Sequence, residues 1–117
     1  MHTPTATHTP GRPETTADRW ERASLHFEKK AYADAARILA EVVAEVPEQV
    51  APRLLLARAY YHSAQLRRAE EELRAVIALD PVEEYAHLML GRTLERQGRA
   101  GEAARWLRTA AALGSTG

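Results

Sequence analysis

The residues that most often carry chemistry are spaced in ways that fit no catalytic or metal site. Five histidines occur, two near the start and three in later segments: His2, His8, His26, His62 and His87. No two of them stand four positions apart, and no cysteine is present to complete a zinc site. The sequence has no glycine-rich phosphate loop and no nucleophile motif. We therefore expect no enzymatic activity, no cofactor and no bound metal.

Charge and composition restrict the partners of the chain. Its 16 basic residues balance its 16 acidic residues, so no net field attracts nucleic acid or an anionic membrane. No run approaches the roughly 18 apolar residues of a membrane span, and the N-terminus lacks the apolar core of a signal peptide. The absence of cysteine is compatible with a reducing compartment. These features favour a soluble, cytoplasmic protein that binds neither nucleic acid nor membrane.

The strongest pattern is a repeat with a period of 34 residues. Small, large apolar and turn-forming residues all recur at this interval, and within each unit the apolar positions follow the i, i+4, i+7 spacing of one helix stripe. The residues that repeat are Ala23, Ala57 and Gly91; Ala35, Ala69 and Ala103; Leu39, Leu73 and Leu107; Val42, Val76 and Ala110; and Pro47 and Pro81. Three copies in register predict three helical hairpins that stack on one another.

The same pattern divides the chain. It predicts six helices near residues 18–29, 33–46, 50–62, 66–79, 83–96 and 100–113. Pro52 falls in the first turn of the third helix and Pro81 just beyond the fourth, where each is tolerated. Residues 1–15 are rich in Thr, Pro and His and have no apolar period, so we expect a disordered tail. Residues 16–117 form the predicted domain, with repeats at about 16–49, 50–83 and 84–117.

A two-helix unit of this length resembles the tetratricopeptide repeat, whose pattern is W-x2-L-G-x2-Y, then A-x3-F, then P. The second unit matches with Leu56, Ala57, Tyr60, Ala69, Leu73 and Pro81, and the third with Leu90, Gly91, Leu94, Ala103 and Leu107. The first unit matches at Ala35, Leu39 and Pro47 but departs from the pattern at Arg22 and His26. The resemblance implies an all-α fold, a right-handed superhelix of six antiparallel helices.

The resemblance also implies a concave groove along the first helix of each repeat. We call its candidate lining residues the predicted groove: Phe27, Leu54, Leu55, Arg58, Tyr61, His62, Tyr85, Leu88, Met89, Arg92 and Arg96. Apolar and aromatic side chains with arginines at the edges suit an apolar peptide or an amphipathic helix with an acidic flank. In the alternative interpretation, these side chains pack on each other, or the N-terminal tail covers them.

The groove does not resemble the clamp with which some family members bind acidic chaperone tails. That clamp is built from Lys, Asn and Arg. The corresponding positions here hold Trp20, Ser24, Leu55, Tyr85 and Met89. A chaperone-tail receptor of that type is therefore disfavoured.

The last helix suggests a second function. Trp106 and Leu113 have no following repeat in this sequence to cover them, which favours a homodimer built through this end. Alternatively, Trp106 packs partly on its own repeat and keeps its indole donor in water. The sequence thus predicts a non-enzymatic adaptor or scaffold that binds another protein, with self-association as the alternative.

Overall fold

The computed structural model describes residues 11–115. Within that range the chain is all-α, and it forms three helix-turn-helix hairpins stacked as a repeat superhelix, as the period predicts. The helices α3 and α4 have the predicted bounds, and the other four differ from prediction by at most two residues. The helices are α1 Thr16–Glu28, α2 Tyr32–Glu45, α3 Val50–His62, α4 Leu66–Leu79, α5 Glu84–Arg96 and α6 Ala100–Gly114.

The repeating small residues let neighbouring helices approach closely. Ala35, Ala69 and Ala103 are each completely buried. At Gly91 the approach of α6 leaves no room for a side chain, because a methyl group added there would overlap the side chain of Leu107. The 34-residue period therefore has a packing cause, because the small residues that recur are the ones that are buried between helices.

The buried side chains form two apolar clusters, one at each junction between repeats. The first cluster combines α1 and α2 with the start of the second repeat, and the second combines α3 and α4 with α5 and α6. Leu56 lies in the first cluster and Leu90, one period later, in the second. Each junction therefore buries a leucine from the same position in the repeat.

The turn inside each hairpin also repeats. Lys30, Ala64 and Gly98 all have positive φ, at 62°, 60° and 78°. The residue after each of them donates its backbone N–H to a carbonyl five residues earlier, as in the hydrogen bond from Gln65 to Tyr60 at 2.8 Å. This is the left-handed helix ending that glycine adopts most easily, yet only the third repeat has glycine there.

The start of α1 is held by the residues before it. Thr15 and Asp18 form a capping box, with backbone-to-side-chain hydrogen bonds of 2.9 and 3.0 Å. Glu14 accepts two hydrogen bonds of 2.8 Å from Arg22, which lowers the pKa of Glu14. Residues 1–10 of the predicted tail lie outside the described residues, while Glu14 and Thr15 contact the first turns of α1.

These contacts explain why the first repeat departs from the family pattern at Arg22. In the second and third repeats, Leu56 and Leu90 occupy this position and are buried against the preceding hairpin. No hairpin precedes α1 within the described residues, so Arg22 is exposed and pairs with Glu14 at 2.8 Å instead. Ala23 beside it is completely buried, so α1 keeps its register in the stack.

Candidate functional site

A cavity lies where α1, α2 and α3 meet, and we call it the Trp20 pocket. Its volume is about 330 Å³, and its lining is mainly apolar. Its lining comes from the first half of α1, the end of α2 and the start of α3. The lining residues are Thr16, Ala17, Trp20, Val42, Val46, Gln49, Ala51 and Pro52.

The predicted groove contains an arginine held between rings from two other repeats. The guanidinium carbon of Arg58 lies 4.9 Å from the ring centroid of Phe27 in α1 and 5.8 Å from that of Tyr85 in α5. Its Nε is buried and has no hydrogen-bond partner, and no carboxylate pairs with Arg58 among residues 11–115. We call this arrangement the Arg58 site. The faces of the two rings stabilise its charge.

A second arginine and a histidine lie beside the Arg58 site. The guanidinium of Arg96 stacks 4.6 Å from the Tyr61 ring and donates a 3.1 Å hydrogen bond to the Tyr61 carbonyl oxygen. His62 stacks on Tyr32 at 4.6 Å and meets Phe27 edge-on at 6.1 Å. Burial, and then the charges of Arg58 and Arg96, lower the pKa of His62. The site therefore concentrates positive charge among aromatic rings.

The remaining residues of the predicted groove differ in how far they are buried. Met89 is only 9% exposed and belongs to the second core cluster, so it is not an open lining residue. Leu54 and Leu55 are half-buried against the second and first clusters respectively, and Leu88 is half-buried too. Arg92 is exposed and pairs with Glu95 at 3.1 Å. Less apolar surface is therefore open than the sequence predicted.

The two residues of the predicted dimer interface are half-buried in the chain itself. The Trp106 ring lies 5.7 Å from the His87 ring of α5, and the guanidinium of Arg74 in α4 lies 5.5 Å from it. Trp106 packs against the second core cluster. Leu113 is also half-buried. This packing is compatible with the alternative interpretation, in which Trp106 packs partly on its own repeat, and the dimer interface stays a prediction.

The sequence interpretation missed the Trp20 pocket and the part played by Tyr32. The positions that correspond to Trp20 in the later repeats hold Leu54 and Leu88. The larger side chain of Trp20 could have indicated that the first repeat packs differently from the other two. Tyr32 begins α2 and stacks on His62 across the junction, which the period alone does not show. Among the described residues, no group of three His, Cys, Asp or Glu side chains is placed to bind a metal. Within the same range, no helix is long and apolar enough to cross a membrane.

Stacked helical hairpins with apolar junctions and one face of rings and arginines define a helical-repeat module. A family model described as tetratricopeptide repeat matches residues 26–89. The chain therefore belongs to the tetratricopeptide-repeat family. Such repeats are generally non-enzymatic, and the family and fold support a module for protein–protein interaction.

Solved structures agree with this assignment. The chain is similar to MamA 41-end from Desulfovibrio magneticus RS-1, with a TM-score of 0.84 and 27% identity over 90% of this chain and 59% of that chain. It therefore spans less than two thirds of that protein. The second TPR of Spaghetti (RPAP3), bound to the HSP90 peptide SRMEEVD, matches with a TM-score of 0.77 and 20% identity over 84% of this chain and 91% of that chain.

A third structure, the CopN-Scc3 complex, matches with a TM-score of 0.79 and 16% identity over 84% of this chain and 58% of that chain. The two structures below 25% identity show that the fold is shared, and nothing more. No curated protein matches the sequence.

Proposed function

We propose that this chain is an adaptor that binds a peptide segment of another protein on the face formed by α1, α3 and α5. The observation that carries the proposal is Arg58, a cation held between Phe27 and Tyr85 without a carboxylate partner among the described residues. Three successive repeats contribute to that arrangement. A charged group left without a counterion at a half-buried position is typical of a surface that meets a ligand.

The composition of this face supports a polypeptide as the ligand. Aromatic residues and arginine are the residue types enriched at the centres of protein interfaces, and here they surround one point. Tyr85 remains 37% exposed, so part of its ring is open to a partner. The same fold carries a bound peptide in the second TPR of Spaghetti (RPAP3). Self-association stays a prediction, and the packing of Trp106 within its own chain gives it less support.

Selection from a random heptapeptide library displayed on phage tests the proposal, with the full chain as bait. We expect the selection to enrich peptides, and we expect their synthetic versions to bind Arg96→Glu at least about 10-fold more weakly than the wild type. A close pair of opposite charges across an interface is worth about a kcal/mol or more, and the substitution replaces attraction by repulsion. Fluorescence anisotropy measures this loss.

The matched control is Arg68→Glu, which makes the same charge change at an exposed residue of α4. It should bind the selected peptides as the wild type does. Failure to enrich any peptide, or equal losses in both variants, would contradict binding on the face of α1, α3 and α5.

A further inference from the structure

The Trp20 pocket borders two positions at which the first junction has a smaller or more polar side chain than the second. Ala51, which lines the pocket, corresponds to Tyr85 one period later. Thr16, also in the lining, corresponds to Val50, which packs on the second core cluster. The first junction therefore lacks a phenol ring and an apolar branch that the second junction has.

At the second junction, the ring of Tyr85 takes part in the contact between repeats. It lies 5.8 Å from the guanidinium carbon of Arg58 in α3, the helix of the preceding hairpin. Ala51 has only a methyl group and no ring to extend toward α1. The repeat thus indicates that an aromatic ring suits this position between two hairpins, and that the chain does not supply one at the first junction.

The lining of the Trp20 pocket is complementary to a planar apolar group. The half-buried indole of Trp20 contributes an aromatic ring, and Val42, Val46 and Pro52 contribute aliphatic contacts. Contacts between aromatic rings are worth more than the area that they bury. An apolar cavity of about 150 Å³ can bind benzene, so a volume of about 330 Å³ has room for the side chain of Phe, Tyr or Trp.

We propose that the Trp20 pocket binds one aromatic side chain of the partner polypeptide. This proposal rests on the proposed function and deepens it, because it names the class of residue that anchors the partner. Both the pocket and the proposed face are built on α1 and α3, and Ala51 is the counterpart of Tyr85 on that face. Residues 1–10 contain no Phe, Tyr or Trp, so this segment of the chain is not the source of the ring.

The heptapeptides selected on the full chain test the proposal through their sequences. We expect them to share Phe, Tyr or Trp at one position, as buried aromatic anchors commonly dominate the binding energy. Replacing that residue by Ala should weaken binding at least about 10-fold. Replacing it by Leu should weaken binding about 3-fold, because Leu fills volume without the ring contact. Fluorescence anisotropy measures both losses.

Ala51→Tyr places in the pocket the residue that the third repeat has at this position. We expect this variant to fold, because Tyr85 is likewise the second residue of its helix. In this variant, the peptide with the ring and its Ala version should bind equally, while Arg96→Glu should cause the same loss as in the wild-type background. Ala44→Tyr, at an exposed position of α2 outside the lining, is the matched control and should keep the full preference for the ring. Circular dichroism confirms that each variant is folded.

A free ring probes the pocket without a peptide. The probe is p-cresol, which is the side chain of tyrosine as a separate molecule. We expect it to shift the indole N–H signal of Trp20 in proton–nitrogen correlation NMR spectra of the wild type but not of Ala51→Tyr. Trp106→Phe removes the other indole signal and so assigns that of Trp20.

The outcomes are distinguishable. Selected peptides without a shared aromatic residue overturn the proposal while the proposed function stands, and so does a preference for the ring that survives in Ala51→Tyr. If p-cresol shifts the Trp20 signal but no peptide is enriched, the ligand is a free aromatic molecule, and both the proposed function and this proposal fail. If light scattering shows a dimer that Ala51→Tyr dissociates, the ring belongs to a second copy of the chain, and the partner polypeptide is overturned as its source.

Discussion

The two junctions between repeats have the same backbone register but different chemistry at one position. At the first junction, Ala36 is buried and packs in the apolar cluster. At the second, the same position is Glu70, only 12% exposed, which accepts hydrogen bonds of 2.8 and 3.2 Å from Arg99. Gln97 and Arg74 each add one at 3.1 Å. The repeat thus determines which positions lie at the junction between hairpins. The residue type at such a position determines whether the contact is apolar or charged.

The ion pairs around Glu70 tie the second repeat to the turn before α6. At the first junction, the corresponding turn residues Ser63 and Gln65 bond to each other at 2.9 Å and leave Ala36 to apolar contacts. The second junction can accept a charge because three donors converge on it, which offsets the cost of removing Glu70 from water. The two junctions therefore differ at Glu70 and at the three residues that donate to it, while the helices keep the same register.

The largest effect should come from removing the leucine side chain that each junction buries. Leu56→Ala and Leu90→Ala each delete a side chain that is at most 1% exposed, one in each cluster. We expect each variant to lower the free energy of unfolding by about 3 kcal/mol, and the two losses to agree within about 1 kcal/mol. Guanidinium unfolding followed by circular dichroism measures both. Losses that differ by more than about 2 kcal/mol would show that the apolar parts of the junctions are not equivalent.

A smaller effect should come from the position at which the junctions differ. Burial raises the pKa of Glu70, but the hydrogen bonds from Arg99, Gln97 and Arg74 outweigh it and lower this pKa to about 2. Glu70→Gln keeps the shape of the side chain and removes its charge. We expect it to lower the free energy of unfolding at pH 7 by about 2 kcal/mol, because hydrogen bonds to charged groups are worth about 1.5–3 kcal/mol each and neighbours compensate in part.

The contribution of Glu70 to the free energy of unfolding should depend on pH. A carboxyl whose pKa is depressed in the folded state stabilises the protein above its unfolded value of 4.5, and this stability is lost as the pH falls toward 2. The difference between wild type and Glu70→Gln should therefore shrink between pH 5 and pH 2. Glu71→Gln, at an exposed neighbour, is the matched control and should follow the wild type at every pH. If the difference in the free energy of unfolding between wild type and Glu70→Gln stayed constant from pH 5 to pH 2, the ion pairs of Glu70 would not be its cause.

The sequence predicted the parts of the fold that depend on local repetition. A 34-residue interval between small residues places the helices within two residues of their observed bounds. Three-dimensional neighbours were harder to predict. Leu88 and Met89 are adjacent in sequence, but Met89 is buried in the core and Leu88 is half-buried. The groove prediction placed both on one face, although Met89 continues the buried stripe of Ala86 and Thr93.

The candidate site shows the same limit. The sequence predicted Arg58, Phe27 and Tyr85 as groove residues, but not that one cation lies between rings from α1 and α5. That arrangement depends on rotamers and on the angle between hairpins. The Trp20 pocket was missed because it is a gap between three helices, and a period describes the residues that fill space and not the space that they leave.

The smallest predicted effect concerns the turns inside the three hairpins, which share a backbone conformation but not a residue. Ala64 has φ of 60°, a conformation that costs a residue with a Cβ roughly 1 kcal/mol and glycine almost nothing. We therefore expect Ala64→Gly to raise the free energy of unfolding by about 0.5 kcal/mol, and Gly98→Ala to lower it by about 1 kcal/mol. Ala111→Gly, at an exposed position inside α6, makes the same change as Ala64→Gly but should destabilise by about 0.5 kcal/mol. Thermal and guanidinium unfolding would measure the opposite signs. If the two alanine-to-glycine changes had the same sign, the left-handed turn would not be what distinguishes them, and the equivalence of the three hairpins would have to be sought in side-chain contacts instead.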